Sequence, residues 1–365
     1  MQENIFNIKD FGAINDGRTD CTLAIQNAID QAAKVQGTVL IPAGVFLTNE
    51  LKLKPFITLK GDAKWSYRNH AGSILKLFNA DNRCLLNITA AQGVKITDLC
   101  LDGANLGTDI HGVATIRHDD EPLKEEDTTC IDHIRVANFS GDGLHMQRIW
   151  CFSVRHSQIG FNHGNGLYIK GWDAFITDNW FSNNYRCGIL SDKEMSAIVI
   201  TGNRLEWNGE AGLKAINPIC VNITGNAFDS AGGPGLDLNN PQGSRAINVT
   251  VVANTFNRSG MPLIRNEFSG LSCHVHIVRA INLVMQSNSF FQGFDDSGDR
   301  SLLCPETGII IQKLKSCIIK DNAMFNCATK NVYLDLGEHL EGNDINITGS
   351  VKPTVGAILY PFFDD

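Results

Sequence analysis

The sequence predicts a parallel β-solenoid that begins with a helix across its first coil. Three observations predict this class: a short cassette that starts with glycine recurs every 22 to 24 residues, a second cassette that starts with asparagine recurs between its copies, and one amphipathic segment precedes them all. Repeats of this length, with two or three short strands each, can bury their apolar face only by stacking on their neighbours.

The amphipathic segment comes first along the chain. Apolar residues stand at positions 24, 25, 28, 29 and 32, which is the spacing of one helix face, and Asp20 or Thr19 is suited to the N-cap position. A solenoid needs a cover over its first coil, so this helix is expected to lie there. Residues 39–47 then predict a strand, a turn and a second strand.

The two cassettes predict the coils that follow. In the first, glycine is interpreted as a bend residue before a strand of alternating residues. Its copies begin at Gly143, Gly166, Gly188, Gly212 and Gly235. In the second, asparagine suits a tight bend, and its amide can bond from coil to coil, so these residues are predicted to form a ladder. They are Asn179, Asn203, Asn226, Asn254, Asn288 and Asn322.

The first 60 residues resemble a known family. Asp10-Phe-Gly-Ala-Ile-Asn-Asp-Gly-Arg-Thr-Asp-Cys-Thr-Leu-Ala-Ile-Gln-Asn-Ala-Ile and Gly37-Thr-Val-Leu-Ile-Pro-Ala-Gly-Val-Phe are similar to the N-terminal signature of the pectate-lyase-like right-handed parallel β-helix superfamily. The coil repeats extend the resemblance to about residue 335. The resemblance implies an all-β, single-stranded, right-handed parallel β-helix of about ten coils.

We expect one β-helix domain over residues 1–365. Residues 1–60 would form the N-terminal cap and first coil, residues 61–335 the coils, and residues 336–365 a C-terminal coil and tail. Three irregular stretches, near 117–129, 257–279 and 293–307, interrupt the period. Long insertions in a repeat are commonly functional, so these are expected to wall a groove on the sheet.

The superfamily includes pectate lyases, polygalacturonases, alginate epimerases, inulin fructotransferases and phage tailspikes. The resemblance therefore implies an oligo- or polysaccharide ligand, and it makes a homotrimer a further expectation, but it does not fix the reaction. The polygalacturonase motifs Asn-Thr-Asp, Asp-Asp, Gly-His-Gly and Arg-Ile-Lys are not present in register. The epimerase motif Tyr-Gly-Phe-Asp-Pro-His-Glu corresponds to Asp142-Gly-Leu-His-Met-Gln-Arg, so its tyrosine, aspartate and histidine are replaced.

Composition excludes several classes of partner. The chain has 31 basic and 39 acidic residues, a formal net charge of −8, and no block of Lys and Arg. Nucleic acid and anionic membranes are therefore not expected as partners. The N-terminus lacks the basic and apolar regions of a signal peptide, so we expect a cytoplasmic protein, or a secreted or periplasmic one whose signal was removed. The 11 cysteines show no metal-binding spacing, and most are expected to be buried thiols.

Alternation predicts which side chains face outward. If the aliphatic residue after each glycine points inward, five coils present a polar and aromatic strip, and the turns before the strands add to it. Such a strip suits a sugar polymer, because aromatic faces stack on sugar rings and polar groups bind hydroxyls and carboxylates. The substrate-binding residues predicted from this strip and these turns are His145, Tyr168, Lys170, Arg186, Trp207, Lys214 and Asn239.

Three carboxylates on the same face are predicted to be catalytic. Asp192 and Asp237 lie two coils apart, so their backbones would be roughly 9.6 Å apart, and Glu210 comes from the coil between them. An inverting glycoside hydrolase holds its two carboxyl groups about 6.5 to 9.5 Å apart. Neighbouring lysines, Lys214 for Asp237 and Lys170 for Asp192, would keep them ionised. The alternative interpretation is a solvated sheet on which unlike charges alternate.

Two further features of the sequence bear on which histidine faces the groove and on whether a metal binds. An internal identity, Arg245-Ala-Ile-Asn and Arg279-Ala-Ile-Asn, leaves open whether His274 or His276 faces the groove, and His276 is the predicted binding residue. Asp295, Asp296 and Asp299 form only a fragment of a calcium loop. We therefore expect no cofactor and no metal, with calcium as the alternative.

Four functions follow from these observations. The leading hypothesis is a glycoside hydrolase that uses carboxylate acid/base catalysis in a groove on the parallel sheet. The second is a polysaccharide lyase or C5-epimerase, in which cations neutralise a uronate carboxylate and a basic side chain removes the C5 proton. The others are a non-catalytic, tailspike-like glycan-binding solenoid and an intramolecular fructotransferase.

Overall fold

In the computed structural model of this chain, the described residues are 4–120, 125–240, 244–261, 266–291, 304–325, 327–328, 332–335, 344–346 and 357–360. Two compact units, Met1–Trp180 and Phe181–Asp365, divide the chain. The predicted calcium-loop fragment at Asp295, Asp296 and Asp299 lies outside the described residues. The single-domain boundaries stay a prediction.

The first unit contains one α-helix, α1 (Thr22–Ala33), and a 3₁₀ helix at Ile8–Phe11. Its strands are Ile5–Asn7, Asp16–Asp20, Thr38–Leu40, Gly44–Thr48, Leu51–Lys52, Thr58–Lys60, Ala63–Trp65, His70–Leu77, Cys84–Asn87, Lys95–Asp102, His111–Thr115, Thr129–Ala137, Leu144–Arg155, Gln158–Gly160 and Leu167–Thr177. A further strand, Trp180–Ser182, spans the division between the units.

The second unit contains only strands among its described residues. They are Ile189–Ser191, Met195–Thr201, Arg204–Glu206, Leu213–Ala215, Pro218–Ile219, Asn222–Thr224, Ala227–Asp229, Leu236–Leu238, Ala246–Ile247, Thr250–Val252, Thr255–Asn257, Cys273–Ile281, Val284–Gln286, Ser289–Phe291, Thr307–Lys315, Ile318–Lys320, Ala323–Phe325, Val332–Asp335, Asp344–Asn346 and Ala357–Tyr360.

The strands pair in parallel from coil to coil, which confirms the predicted parallel β-helix. In the second unit, for example, Leu190 pairs with Lys214 and Lys214 with Asp237. Antiparallel pairs among the described strands are Ala63–Trp65 with His70–Leu77 and Val332–Asp335 with Ala357–Tyr360. Each coil therefore places the side chains of one position directly above those of the next coil.

Helix α1 covers the first coils as predicted, but it begins later than predicted. Its N-cap residue is Cys21, with no hydrogen bond from a side-chain cap. The Asp20 carboxylate instead accepts the backbone N–H of Thr22 at 2.9 Å, so Asp20 caps the helix from the position before the N-cap. The buried face is Ile25, Ala28, Ile29 and Ala32. None of the described helices has the length and apolar character that a bilayer crossing requires.

Stacked side chains form the core of the second unit. The rings of Phe228, Phe256 and Phe290 stack with centroids 4.8 Å apart, which is the spacing of neighbouring strands. The predicted asparagine ladder is confirmed in the same unit. The backbone N–H of Asn203 donates to Oδ1 of Asn226 at 2.9 Å, and the same bond links Asn226 to Asn254.

The glycines of the repeat lie at bends directly before their strands, as predicted. Gly188 and Gly212 do not adopt a left-handed backbone there. A Cβ atom at Gly188 would lie 2.6 Å from the carbonyl oxygen of Gly212, and one at Gly212 would lie 2.6 Å from that of Gly235. Glycine is required here because successive coils approach too closely for a side chain.

The prediction for cysteine agrees with the structure. All 11 cysteines lie among the described residues, all are free thiols, and eight are buried. Burial raises the pKa of the Cys84 thiol well above its ordinary value, which disfavours the thiolate. We therefore assign the cysteines no role in the chemistry.

Buried His274 makes the stability sensitive to acid. Its Nε2–H donates to the carbonyl oxygen of Cys327 at 2.8 Å, and its Nδ1 has no partner among the described residues. Burial lowers the pKa of His274 to about 4, from an ordinary 6.5. Between these values the unfolded chain binds the proton that the folded protein excludes. The free energy of unfolding should therefore fall as the pH drops from about 6.5 to 4, by about 3 kcal/mol.

Urea unfolding at several pH values checks this prediction. In the variant His274→Gln the amide can still donate to Cys327, but nothing titrates at this position. The loss of stability on acidification should therefore be smaller in the variant than in the unmodified protein. Equal losses in both proteins would show that His274 is not responsible.

Candidate active site

One sheet of the first unit carries the predicted outward strip. We call it sheet F1: strands Leu51–Lys52, Cys84–Asn87 and His111–Thr115, with the first four residues of Leu144–Arg155 and of Leu167–Thr177. The register places one outward residue of each coil above the next, in the column Lys52, Asn87, Ala114, His145 and Tyr168. The inward neighbours Leu144 and Leu167 are fully buried. The predicted alternation is therefore confirmed in this unit.

A buried carboxylate fixes the orientation of His145. Nδ1 of His145 lies 2.7 Å from Oδ2 of Asp142, three residues earlier in the chain. Because an ionised carboxylate only accepts hydrogen bonds, Nδ1 carries the proton, and Nε2 has the free lone pair. The His145 side chain is 23% exposed, and Nε2 has no hydrogen-bond partner among the described residues. His145 thus has the arrangement of a general base.

Asp142 is held ionised by its surroundings. Its Oδ1 accepts the backbone N–H of Asn165 at 2.7 Å and the Asn165 side-chain amide at 2.8 Å. Burial acts to raise the pKa of the Asp142 carboxyl. The hydrogen bond from His145, the electrostatic interactions with the His111 and His145 imidazoles when these are protonated, and the backbone N–H of Asn165 outweigh burial, so the pKa is lowered.

Aromatic rings support both faces of His145. The ring of His111 stacks on it with centroids 4.1 Å apart, and the ring of Tyr168 stacks on the other side at 4.6 Å. The small side chain of Ala114, directly below His145 in the column, leaves room for His111. The pKa of His111 is lowered, mainly by burial and secondly by the neighbouring His145. Nδ1 of His111 accepts the backbone N–H of Asp142 at 2.9 Å. The stack holds the His145 ring in one plane.

A second outward column runs beside the first. Gln147 and Lys170 occupy neighbouring coils two residues after His145 and Tyr168. Both donate to Oδ1 of Asp119, at 2.6 Å and 2.8 Å. Asp119 lies in the irregular stretch predicted near 117–129, so this stretch borders the outward strip. Lys170 is buried and supplies a cation close to the His145 column.

The second unit carries a similar sheet. We call it sheet F2: strands Ile189–Ser191, Leu213–Ala215 and Leu236–Leu238, with residues 273–277 and 307–311. Its outward column is Leu190, Lys214, Asp237, His276 and Ile310. The register therefore places His276 in the outward column. Strict alternation would give His274, two residues earlier, the same direction, but His274 is fully buried and its ring packs edge-on against Phe290 with centroids 5.8 Å apart. Burial and this contact, and not the pairing, place His274 inward.

Two ion-paired groups occupy sheet F2. Nδ1 of His276 lies 2.9 Å from Oδ1 of Asp237, and both side chains are 7% exposed. Nζ of Lys214 lies 2.6 Å from Oε1 of Glu210, whose Oε2 lies 3.5 Å from Nε of Arg186. Burial acts to lower the pKa of the Lys214 ammonium, but Glu210, and then Asp237, raise it. Lys214 therefore stays charged between two carboxylates.

The remaining predicted residues are Asp192, Asn239 and Trp207. Asp192 and Asn239 are exposed, each just after a strand of sheet F2. Trp207 lies in a left-handed turn, and the guanidinium of Arg258 is 5.7 Å from its ring centroid. Their predicted roles in catalysis and binding stay predictions.

Sequence reasoning missed Asp142, His111, Asn165 and Asp119 as site residues. Asp142, Asn165 and Asp119 lie in turns or loops outside the strands, where the period-two argument does not apply. One signal was available, since Asp142 and His145 form an Asp-x-x-His pair across the glycine of the cassette. The bond between them depends on the turn before that strand.

His111, Asp142 and His145 also offer ligand atoms within 4.8 Å of one another. An imidazole nitrogen binds a metal in the plane of its ring, but the rings of His111 and His145 are stacked at 20°. Their lone pairs therefore run side by side and do not converge. In addition, the backbone N–H of Asp142 already occupies Nδ1 of His111. The geometry favours a hydrogen-bonded group over a metal centre.

The sequence of this chain matches two family models and is similar to several known proteins. Residues 5–214 match the family model "Rhamnogalacturonase A/epimerase, pectate lyase-like", and residues 142–295 match "Right handed beta helix region". Mannuronan C5-epimerase AlgE2 from Azotobacter vinelandii is 29% identical over 262 residues, which cover 64% of this chain and 25% of that protein. The chain thus matches about a quarter of the length of this relative.

Two solved structures share the fold. The A-module of mannuronan C5-epimerase AlgE4 from Azotobacter vinelandii superposes with a TM-score of 0.68 at 20% identity, covering 93% of this chain and 99% of the module. DFA-IIIase from Arthrobacter chlorophenolicus A6, without its lid and in complex with GF2, superposes with a TM-score of 0.69 at 15% identity, covering 96% and 100%. At these identities the likeness shows the right-handed β-helix fold alone.

Proposed function

Because the chain belongs to the rhamnogalacturonase A/epimerase, pectate lyase-like family, we propose that it is a carbohydrate-active enzyme that cleaves a uronate-containing polysaccharide by β-elimination. His145 is the general base that removes the proton from C5 of a uronate residue. The observation that carries this proposal is the 2.7 Å contact of buried Asp142 with Nδ1 of His145, which leaves Nε2 as the basic nitrogen.

In the proposed step one side chain of the site removes a proton and another supplies one. Nε2 of His145 takes the C5 proton, the released electron pair forms the C4–C5 double bond, and the bond from C4 to the glycosidic oxygen breaks. In this proposal Tyr168, whose ring stacks on His145 at 4.6 Å, gives its hydroxyl proton to the leaving oxygen. Lys170 and Gln147, in the adjacent column, would receive the uronate carboxylate in exchange for their bonds to Asp119.

The relatives support a uronate substrate, since their names describe epimerases of mannuronan. An Azotobacter vinelandii protein named alginate lyase 7 is also similar, at 35% identity over 107 residues. Elimination is favoured over inversion at C5 because His145 and Tyr168 stand side by side on one sheet and reach a sugar from the same side. Inversion requires a proton donor on the opposite face of the ring.

Hydrolysis by carboxylates is the second candidate. The observation that favours it is a pair of buried carboxylates, Asp237 on sheet F2 and Glu210 in the bend before one of its strands, with the charged Lys214 interacting with both. A cation in that position keeps a carboxylate ionised, as the base of an inverting hydrolase requires. Asp192 would be the third carboxylate of that scheme, and it is exposed.

The experiment that tests the proposal is incubation of the protein with uronate, neutral and fructan polysaccharides. Reducing ends and near-ultraviolet absorbance are read together, because elimination creates an unsaturated sugar that absorbs there. We expect both signals to rise on a polyuronate and neither to rise on the neutral polymers. New reducing ends without absorbance would favour the hydrolase. If neither signal rises but the protein still binds the polysaccharide, a non-catalytic glycan-binding solenoid would be favoured.

A further inference from the structure

A cleft lies on sheet F1, away from His145 along the same two outward columns. Its volume is about 480 Å³. Its lining includes Lys52, Lys54, Arg83, Asn87, Thr89 and Ile116. The cleft has no part in the chemistry proposed above.

The register connects this cleft to the reaction site. Lys52 pairs with Asn87, Asn87 with Ala114, and Ala114 with His145, so Lys52 lies three strand spacings from His145. That separation is about 14 Å along the sheet. One strand spacing is comparable with the length of one pyranose ring in a linear polymer. The cleft would therefore meet a sugar about three units away from the one at His145.

The charges of the cleft favour an anion. Lys52, Lys54 and Arg83 contribute three cations, and no acidic residue lines the cleft. Two of them are ion-paired with carboxylates outside the lining: Lys54 lies 3.9 Å from Asp30, and Arg83 lies 3.4 Å from Glu50. Lys52 makes no ion pair with a described residue, although it also borders a neighbouring cleft with Asp20, Asp30 and Glu50. A concave surface lined by one sign of charge attracts the opposite charge.

Neutral groups complete the site. Asn87 is buried at the floor, and its side-chain amide donates to Glu50 at 2.8 Å, which holds the Glu50 carboxylate against Asn87. Thr89 and Ile116 occupy the second outward column, between the cleft and Gln147. Because Glu50 takes up the Asn87 amide, the groups of the cleft that are suited to the carboxylate and hydroxyls of a uronate residue are its cations and the Thr89 hydroxyl.

We infer that this cleft is a distal subsite that binds the carboxylate of a uronate about three sugar units from the residue at His145. The inference rests on the proposed function, because it extends the same polymer along the same sheet. The enzyme should therefore favour long chains over short ones, and it should act at a set distance from the end that the cleft binds. The residues that determine this specificity are Lys52 and Lys54, with Arg83 beside them.

The kinetic test uses the double variant Lys52→Gln/Lys54→Gln. For a long polyuronate we expect KM to rise about 5- to 50-fold with kcat unchanged, since two charge-assisted contacts are lost in binding and not in the chemical step. Oligouronates too short to reach the cleft should react as before. The variant Lys52→Arg/Lys54→Arg should restore KM, and the exposed Lys95→Gln on another sheet should have no effect. Unchanged KM for the long polymer, or equal loss for short and long substrates, would overturn the inference.

A binding test separates this inference from the proposed function. In a His145→Ala background, which removes the proposed base, retardation of the protein in gels containing polyuronate reports affinity without turnover. In this background Lys52→Gln/Lys54→Gln should lower the affinity for polyuronate by about the factor expected for the rise in KM. The difference between the two proteins should become smaller at high salt. If no near-ultraviolet absorbance appears but this loss of affinity is seen, the subsite is supported and the proposed elimination is not. Equal retardation of both proteins would overturn the subsite, whatever the reaction is.

Discussion

Replacement of His145 by alanine is expected to lower kcat on a polyuronate by about 10² to 10⁴-fold, the usual contribution of a positioned general base. The fold should persist, because the side chain is 23% exposed and the neighbouring inward residues Leu144 and Met146 keep their packing. Asp142→Asn should also lower kcat strongly, since an amide can donate to Nδ1 and favour the wrong tautomer. Initial rates by near-ultraviolet absorbance and melting temperatures check both variants.

The chain contains a matched control for this variant. Nδ1 of His156 also lies 2.8 Å from an aspartate, Asp132, but its side chain is 55% exposed and it lies outside sheet F1. His156→Ala should leave kcat unchanged. Full activity of His145→Ala, or equal losses in the two alanine variants, would show that His145 is not the base.

Replacement of Asn254 by alanine is expected to lower the free energy of unfolding by about 3 to 5 kcal/mol. The Asn254 side chain accepts the backbone N–H of Asn226 at 2.9 Å and its amide at 3.0 Å. It donates to the carbonyl of Ile223 at 2.9 Å and to Asn288 at 3.0 Å. All of these groups are buried, so each orphaned partner costs about 1 to 3 kcal/mol.

Urea unfolding of Asn254→Ala, followed by circular dichroism, measures this loss. The exposed Asn222 lies in the neighbouring coil, on the strand that pairs with Thr250–Val252, and its side-chain oxygen accepts the hydroxyl of Thr224. Asn222→Ala should therefore change the free energy of unfolding by no more than about 0.5 kcal/mol. A similarly small change in Asn254→Ala would mean that the ladder does not stabilise the coils.

Much of the fold could be predicted from the sequence because a solenoid repeats one local rule. Period-two alternation placed Leu144 inward and His145 outward, and the recurring asparagine predicted the bonds between Asn226 and Asn254. The reason why the repeat requires glycine at these positions could not be predicted in the same way. The contact of Gly188 with the carbonyl of Gly212 depends on how closely two coils approach, which a single repeat does not encode.

The candidate site was only partly predictable, for a related physical reason. Alternation found His145, Tyr168, Lys214 and Asp237, since strand residues keep their direction from coil to coil. It could not find Asp142, which lies in a turn before its strand, or His111, which is the first residue of its strand and three positions before Ala114, the residue that pairs with His145. It also could not show that Asp192 and Asp237 differ in burial, since outward residues are covered or exposed according to the segments around the sheet.

The most direct test of the central claim is the product formed from a polyuronate in water enriched in ¹⁸O. Elimination adds no water, so we expect cleavage products that carry a C4–C5 double bond and no ¹⁸O from the solvent. Mass spectrometry should show one product fragment lighter by the mass of a water than the corresponding hydrolysis product. Incorporation of ¹⁸O at the cleaved end, without unsaturation, would contradict proton abstraction by His145 and would move the chemistry to the carboxylates of sheet F2.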